Sequence, residues 1–262
     1  MPDPTVQAMV VDPVQAGLDS LDADVIAVSE VDLDGTRDNV RTQETNEGNL
    51  IADALLWQAV QEAADYGVGA PLIAIQNGGG IRNNTVIPAG DITALDTFDM
   101  VPFGNFVAIV EDIPREHFKE ILENAVACTH RDDTSANPNC GTGRFPQIAG
   151  FTFEWSASAD GLILDLDGNV VQEGARVKTV VLDDGTVIVE NGTVVPGDPI
   201  TLATNDFSAR GGDQSPYRGM PFTIIGATDQ QALQTYIEDG LGGVISADQY
   251  PSGGEGRIVR LP

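Results

Sequence analysis

Apolar residues at Val6, Met9, Val10, Val14, Leu18 and Leu21 recur in steps of three and four. That spacing predicts a helix, with Pro13 as a kink or a start. Asp24 to Asp34 (DVIAVSEVDLD) then alternates apolar and polar as strands do, and Gly35 turns the chain. The clearest helix follows Asn46-Glu47-Gly48-Asn49: Leu50, Ile51, Leu55, Val60 and Ala63 are expected on one side, with Gly67 as the stop. Pro71 to Gln76 is a short apolar run of the kind a buried strand has. It ends in Asn77-Gly78-Gly79-Gly80-Ile81-Arg82, where three glycines let backbone approach a partner closely or bend sharply.

Further along, Asp91 to Phe98 carries a Thr-led signal for a short helix, and Val101 to Asp112 predicts a strand beginning at the Pro102-Phe103-Gly104-Asn105 corner. Pro114 opens a helix whose Phe118, Ile121, Leu122 and Ala125 form one face. Beyond it the pattern turns to β at Phe145 to Ala157 and Arg176 to Leu182, with a hairpin across Asn191-Gly192. Pro199 to Thr204 predicts another strand, followed by a loop from Asn205 to Asp213. Asp229 to Leu241 reads as a last helix and Arg257 to Leu261 as a last strand. At 262 residues, with no internal repeat and no long linker, the chain fits one large α/β domain or a domain with a helical extension.

Charge narrows the partners. There are 40 acidic residues against 13 basic ones, a formal net charge of −27. Such a field repels nucleic-acid polymers and anionic membranes, so a phosphate site has to be a local arginine cluster. The acid excess itself fits a solvated surface in salty surroundings. No stretch approaches the roughly 18 apolar residues of a membrane span, and the N-terminus lacks the basic start and apolar run of a signal peptide, as a mature or cut chain would. Cys128 and Cys140 straddle the polar loop THRDDTSANPN. A disulfide closing that loop fits an oxidising compartment; two free thiols are the alternative.

The chain shows no ligand cluster for a metal: His117 lies in the solvated stretch Arg115-Glu116-His117 and His130 in the cysteine loop. Two histidines without paired spacing cannot furnish a two-metal site, and neither a GxSxG elbow nor a Walker lysine loop occurs. What stands out is a set of arginines and aromatics at loop ends. Arg37 and Arg41 precede the helix start at Gly48-Asn49, where backbone N–H groups favour an anion, and Arg82 follows the triple glycine. The three either converge on a phosphate or carboxylate or are ordinary surface ion-pair partners. Phe103 and Phe207 sit in loop contexts, where they either sandwich a flat base or pack under a loop. Asp213 accepts ribose hydroxyls or simply forms a turn.

Four ordered motifs, RTQETNEGNLIADA from Arg41, NGGGIR from Asn77, PFGN from Pro102 and NDFSARGGD from Asn205, resemble signatures of the C-terminal domain of the 5'-nucleotidases. That family includes ecto-5'-nucleotidase and the bacterial periplasmic UDP-sugar hydrolases. The resemblance runs from about Asp24 to the C-terminus. It implies a mixed-sheet α/β (α+β) fold with helices packed on the sheet, over residues 24–262, preceded by a linker helix over residues 1–23. It further implies that Arg37, Arg41 and Arg82 grip the phosphate of a nucleoside 5'-phosphate, Phe103 and Phe207 stack on the base, and Asp213 binds the ribose. Asn77 and Asn105 would add polar contacts, and Gly150 would be a point where backbone approaches the base. In this family two divalent metal ions belong to a separate N-terminal metallophosphoesterase domain, whose Asp-x-His and Gly-Asn-His-Asp/Glu signatures this chain lacks. Alone it is therefore expected to be inactive, and secreted, periplasmic or cell-surface. The alternatives are a free-standing extracellular nucleotide-binding module, or service to another substrate such as a cyclic nucleotide or a sulfur compound.

Overall fold

A computed structural model describes residues 3–128, 141–165 and 167–262. Its centre is a five-stranded mixed sheet in the order Phe222–Thr228, Phe106–Ile113, Ile200–Asn205, Ile73–Asn77, Pro146–Ala149. The middle pair, Ile200–Asn205 with Ile73–Asn77, is parallel and the other pairings are antiparallel. The parallel pair is buried on both faces: every residue of Ile73–Asn77 is buried, as the unbroken apolar run predicts.

Helices cover one face of this sheet. The long helix Asn46–Glu62 lays Ala52, Leu55 and Ala59 against Val107, Ile109 and Ala203, and Ala232 of the helix Asp229–Thr235 joins them. A second five-stranded sheet and the helix Arg115–Val126 lie over the other face. This outer sheet runs Thr193–Val194, Val187–Glu190, Val177–Leu182, Phe151–Ser156, Ile258–Leu261, and its last pairing is parallel. Phe118, Ile121 and Leu122 of the helix fill the space between the sheets with Phe151, Phe153 and Trp155. The mixed-sheet α/β architecture expected from the sequence is therefore the one found.

Several expectations need adjustment. The long helix starts at Asn46, three residues before the Asn49 boundary read from the sequence, because Thr45 Oγ1 caps it by accepting the Gly48 N–H at 3.0 Å. Val60, expected on its buried side, is 42% exposed; the row that packs inward is Leu50, Ile51, Ala54, Leu55 and Ala59. The Asn191-Gly192 hairpin is present, with both residues at positive φ (51° and 78°), as a tight turn of the twisted kind requires. The N-terminal helical rod, Pro4–Val6, Gln7–Val11 and Asp12–Asp22, buries none of its residues, so its apolar row faces outward. Cys128, buried just past the helix Arg115–Val126, is not a free thiol; Cys140 and His130 lie outside the described residues.

Candidate functional site

At the C-terminal edge of the parallel strand pair, the strand Ile73–Asn77 runs into the 3-10 turn Gly78–Gly80. Glycine is required there by contact. A methyl group on Gly78 would stand 2.0 Å from the carbonyl oxygen of Val40, and one on Gly79 would stand 2.9 Å from that of Gly143. The triple glycine thus lets three segments meet: the arginine turn at 37–41, the turn leading to Arg82, and the stretch 141–145. Gly78 N–H closes the junction by donating to the Phe145 carbonyl at 2.7 Å.

The neighbouring strand Ile200–Asn205 brings the fourth segment. Asn205 caps the short helix Asp206–Ala209 by accepting the Ser208 N–H (2.9 Å), and its amide donates to Asn77 Oδ1 (2.9 Å) and Gln76 Oε1 (3.1 Å). One buried side chain therefore fixes both the Asn77 amide and the helix bearing Phe207. Beyond it, Asp213 and Gln214 adopt positive φ, 54° and 58°, which swings Asp213 back toward the cleft. Such backbone is costly outside glycine and persists where surroundings enforce it.

The resulting cleft, of about 160 Å³, is lined by Asn77, Gly79, Gly80, Arg82, Phe103, Asn105, Phe207 and Asp213. Phe103 and Phe207 are 44% and 42% exposed, so neither is a core ring packed under a loop. Phe207 is backed by Gly212, where a methyl group would lie 2.5 Å from the ring, and the Arg82 guanidinium sits 4.8 Å from the centroid of Phe103. Arg41 borders the same space: a methyl group built on Gly143 would lie 3.8 Å from Arg41 Nη1 and 3.2 Å from Asp213 Oδ2.

The arginines are not ordinary ion-pair partners. Among the described residues, Arg37, Arg41 and Arg82 have no carboxylate within salt-bridge distance, although acids outnumber bases about threefold along the chain. Arg41 is buried and its Nε has no hydrogen-bond partner. Burial, then the charges of Arg37 and Arg82, pull its pKa below the usual guanidinium value, while Asp213 and Asp38 oppose them. A guanidinium stays charged throughout, so this describes a buried cation set beside two others and only partly offset by Asp213 and Asp38. By contrast, the larger groove of about 460 Å³ beside Glu116, Glu120 and Glu173 has its cations Lys119 and Arg218 already paired with Glu123 and Glu120.

Two features expected at the site lie elsewhere in the fold. Gly150 is not at this cleft. It lies at the bend between Pro146–Ala149 and Phe151–Ser156, toward the far end of the strand that carries Asn77, with φ of 80°, and a methyl group on it would stand 2.1 Å from the Leu72 carbonyl oxygen. Its role is to turn one sheet into the other. Nor does the long helix offer an open N-terminus: its first turn is buried, and the Glu47 and Gly48 N–H groups are taken by Asn46 Oδ1 and Thr45 Oγ1. Conversely, the sequence reading passed over Gly143. The signal was the Gly141-Thr142-Gly143-Arg144 stretch immediately before a strand, hidden by its closeness to the cysteine loop.

No group of three or more His, Cys, Asp or Glu among the described residues could hold a metal ion. Likewise, no helix there is long and apolar enough to cross a membrane. The cleft thus brings a guanidinium, two half-exposed rings and a carboxylate together on a mixed α/β scaffold. The family model of the 5'-nucleotidase C-terminal domain matches residues 25–219, and the chain belongs to that family. It is 35% identical over 198 residues to the trifunctional nucleotide phosphoesterase protein YfkN of Bacillus subtilis, covering 75% of this chain and 11% of that protein. Similarity to Protein UshA of Escherichia coli is 30% over 208 residues, 79% of this chain and 29% of UshA. Among solved structures, the 5'-nucleotidase precursor of Thermus thermophilus superposes with a TM-score of 0.71 at 28% identity, over 99% of this chain and 44% of that one. The chain therefore spans less than half of each of these proteins, which carry the matched segment within longer chains. That does not favour a free-standing module.

Proposed function

We propose that the cleft holds a nucleoside 5'-phosphate and presents it for phosphoester hydrolysis. Arg37, Arg41 and Arg82 take the phosphate, Phe103 and Phe207 take the base between their exposed faces, and Asp213 accepts the ribose hydroxyls. Asn77 and Asn105 add polar contacts at the cleft wall. The observation that carries this reading is a small cleft lined by Arg82 and two half-exposed rings, with Arg41 at its border and Arg37 within electrostatic reach of Arg41, none of the three arginines having a carboxylate partner among the described residues. Phosphate supplies the missing acceptor for Arg41 Nε, and the rings gain area by stacking.

The chain's own contribution is orientation. A metallophosphoesterase domain of the same polypeptide, with two divalent metal ions, would supply activated water; among the described residues no group of His, Cys, Asp or Glu could hold those ions. Residues 1–23 act as the linker to that domain, and residues 24–262 as the substrate-binding unit. Placement is secreted, periplasmic or cell-surface, in keeping with a Cys128–Cys140 disulfide. Calorimetry with AMP, adenosine and UDP-glucose tests the reading. Weak but saturable binding of at least one is expected, and no heat at millimolar ligand with the fold intact rejects it.

A further inference from the structure

Glu47 is buried in the first turn of the long helix with no cation beside it. The charged groups that face it are both acidic: Asp34, from the strand leading into the arginine turn, and Asp96, from the short helix Ala94–Met100. Its polar partner is the amide of Asn83, whose Nδ2 donates to Glu47 Oε2 at 2.9 Å. The other oxygen of each group, Glu47 Oε1 and Asn83 Oδ1, is buried without a partner. Both crowd one point, since a methyl group on Gly35 would stand 2.2 Å from Asn83 Oδ1 and 2.3 Å from Glu47 Oε1. Two dry acceptors turned to one place, with no donor between them, are an unstable arrangement.

A single proton resolves it. A neutral Glu47 donates Oε1–H to Asn83 Oδ1 while Asn83 Nδ2 donates back to Oε2, an acid–amide ring that uses all four polar groups. We propose that Glu47 is protonated in the folded protein and that its acid–amide pair with Asn83 is a positioning clasp setting Arg37 against Arg82. Burial supports the neutral form: it pushes the Glu47 pKa up to about 8, with the hydrogen bond from Asn83 acting against it and Asp34 and Asp96 adding to it.

The clasp lies where it controls the arginines. Asn83 directly follows Arg82. The next two residues are zipped to the arginine turn: Asn84 Oδ1 accepts the Arg37 N–H at 3.0 Å, and the Thr85 carbonyl accepts the Gly35 N–H at 3.0 Å. Loss of the proton turns a carboxylate oxygen toward the Asn83 carbonyl oxygen, so the amide must swing away and the zipped segment loosens. The turn before Arg41 packs elsewhere, with the Val40 carbonyl against Gly78. The effect therefore falls first on the arginine end of the cleft, away from Phe207.

The consequence for ligand rests on the proposed function, whereas protonation and clasping do not, and one titration of the whole chain separates them. The Glu47 carboxyl carbon and the Arg37 and Arg82 backbone N–H signals are followed by NMR from about pH 4 to about pH 9.5. The expected result is a Glu47 midpoint above about pH 7, shared by both arginine N–H signals. In Glu47→Gln, whose amide makes the same two bonds at every pH, the arginine signals stay still. The ratio of AMP to adenosine affinity is expected to fall roughly fivefold between about pH 7 and about pH 9.5 in the native chain and to stay flat in Glu47→Gln.

A Glu47 midpoint in the ordinary carboxylate range overturns the proposal, and the native titration alone decides this should the variant not fold. Arginine signals that move with a different midpoint overturn the clasp, as does an affinity ratio that keeps its pH dependence in Glu47→Gln. A Glu47 signal displaced by added sodium or calcium ion would place a cation, not a proton, between the oxygens and also overturn it. If the midpoints coincide as expected but neither ligand binds, the clasp stands and the functional reading fails.

Discussion

At the scale of single residues, Arg41 is the side chain whose environment asks most plainly for a ligand. Its Nε is buried and unpartnered and its nearest charged neighbours include two more arginines. Replacing it with alanine is expected to weaken AMP by about 1.5 to 3 kcal/mol, the range for hydrogen bonds to charged groups, and adenosine hardly at all. Phe207→Ala is expected to weaken both ligands alike, by about 1 to 3 kcal/mol, because stacking does not depend on the phosphate. Calorimetry on the two variants with both ligands checks the pattern. Equal losses of AMP and adenosine in Arg41→Ala would remove its phosphate role. The identity of these residues was legible in the sequence, but their pairing was not. Whether an arginine lacks a carboxylate depends on which of 40 acids the fold brings near, and spacing along the chain carries no such information. Gly150 was ambiguous for a related reason: a glycine between two strands can mark a bend or a ligand contact, and only the fold shows that a methyl group there would stand 2.1 Å from the Leu72 carbonyl oxygen.

At the scale of elements, the site depends on strand ends being held in register, and Asn205 is the joint. It is fully buried, caps the helix that carries Phe207 and fixes the amide of Asn77. Asn205→Ala removes the cap and leaves Asn77 Oδ1 and Gln76 Oε1 without their donor. A stability loss of about 2 to 4 kcal/mol in urea unfolding is expected, together with weaker nucleoside binding. Full stability with unchanged affinity would show that other contacts place Phe207. The helices were readable because their signals are local: Thr93 and Thr228 form capping boxes with Asp96 and Gln231, and apolar faces recur at helical spacing. The strand Phe222–Thr228 was not, since Gly226 at φ of 86° interrupts its pattern. Nor was sheet order legible, because Ile73–Asn77 pairs with a strand more than 120 residues later.

At the scale of the whole molecule, two buried carboxyls and the net charge of −27 act in one direction. Burial raises the Asp229 pKa to about 7 and the Glu47 pKa to about 8, well above the ordinary carboxylate range. A raised carboxyl binds its proton more tightly when folded, so its contribution is fully present below the unfolded pKa and is lost as pH rises through the folded one. Between about pH 4 and about pH 8 the folded state therefore loses stability from both groups, and growing surface repulsion adds to the loss. The melting temperature is expected to be higher near pH 5.5 than near pH 8.5, with a smaller difference in Glu47→Gln. Added salt should shrink the part due to surface repulsion and leave the buried part. A melting temperature that rises with pH over this range would contradict both assignments.

In the proposed function one cleft takes a nucleoside phosphate with its arginines on the phosphate and its rings on the base. The most direct measurement is a residue-resolved NMR titration of the chain with AMP and, in parallel, with adenosine. AMP is expected to move the signals of Arg41, Arg82, Phe103, Phe207 and Asp213 together, while adenosine moves Phe103, Phe207 and Asp213 and leaves Arg41 in place. Saturable shifts centred on any other face, or none at these residues with millimolar AMP, would contradict it.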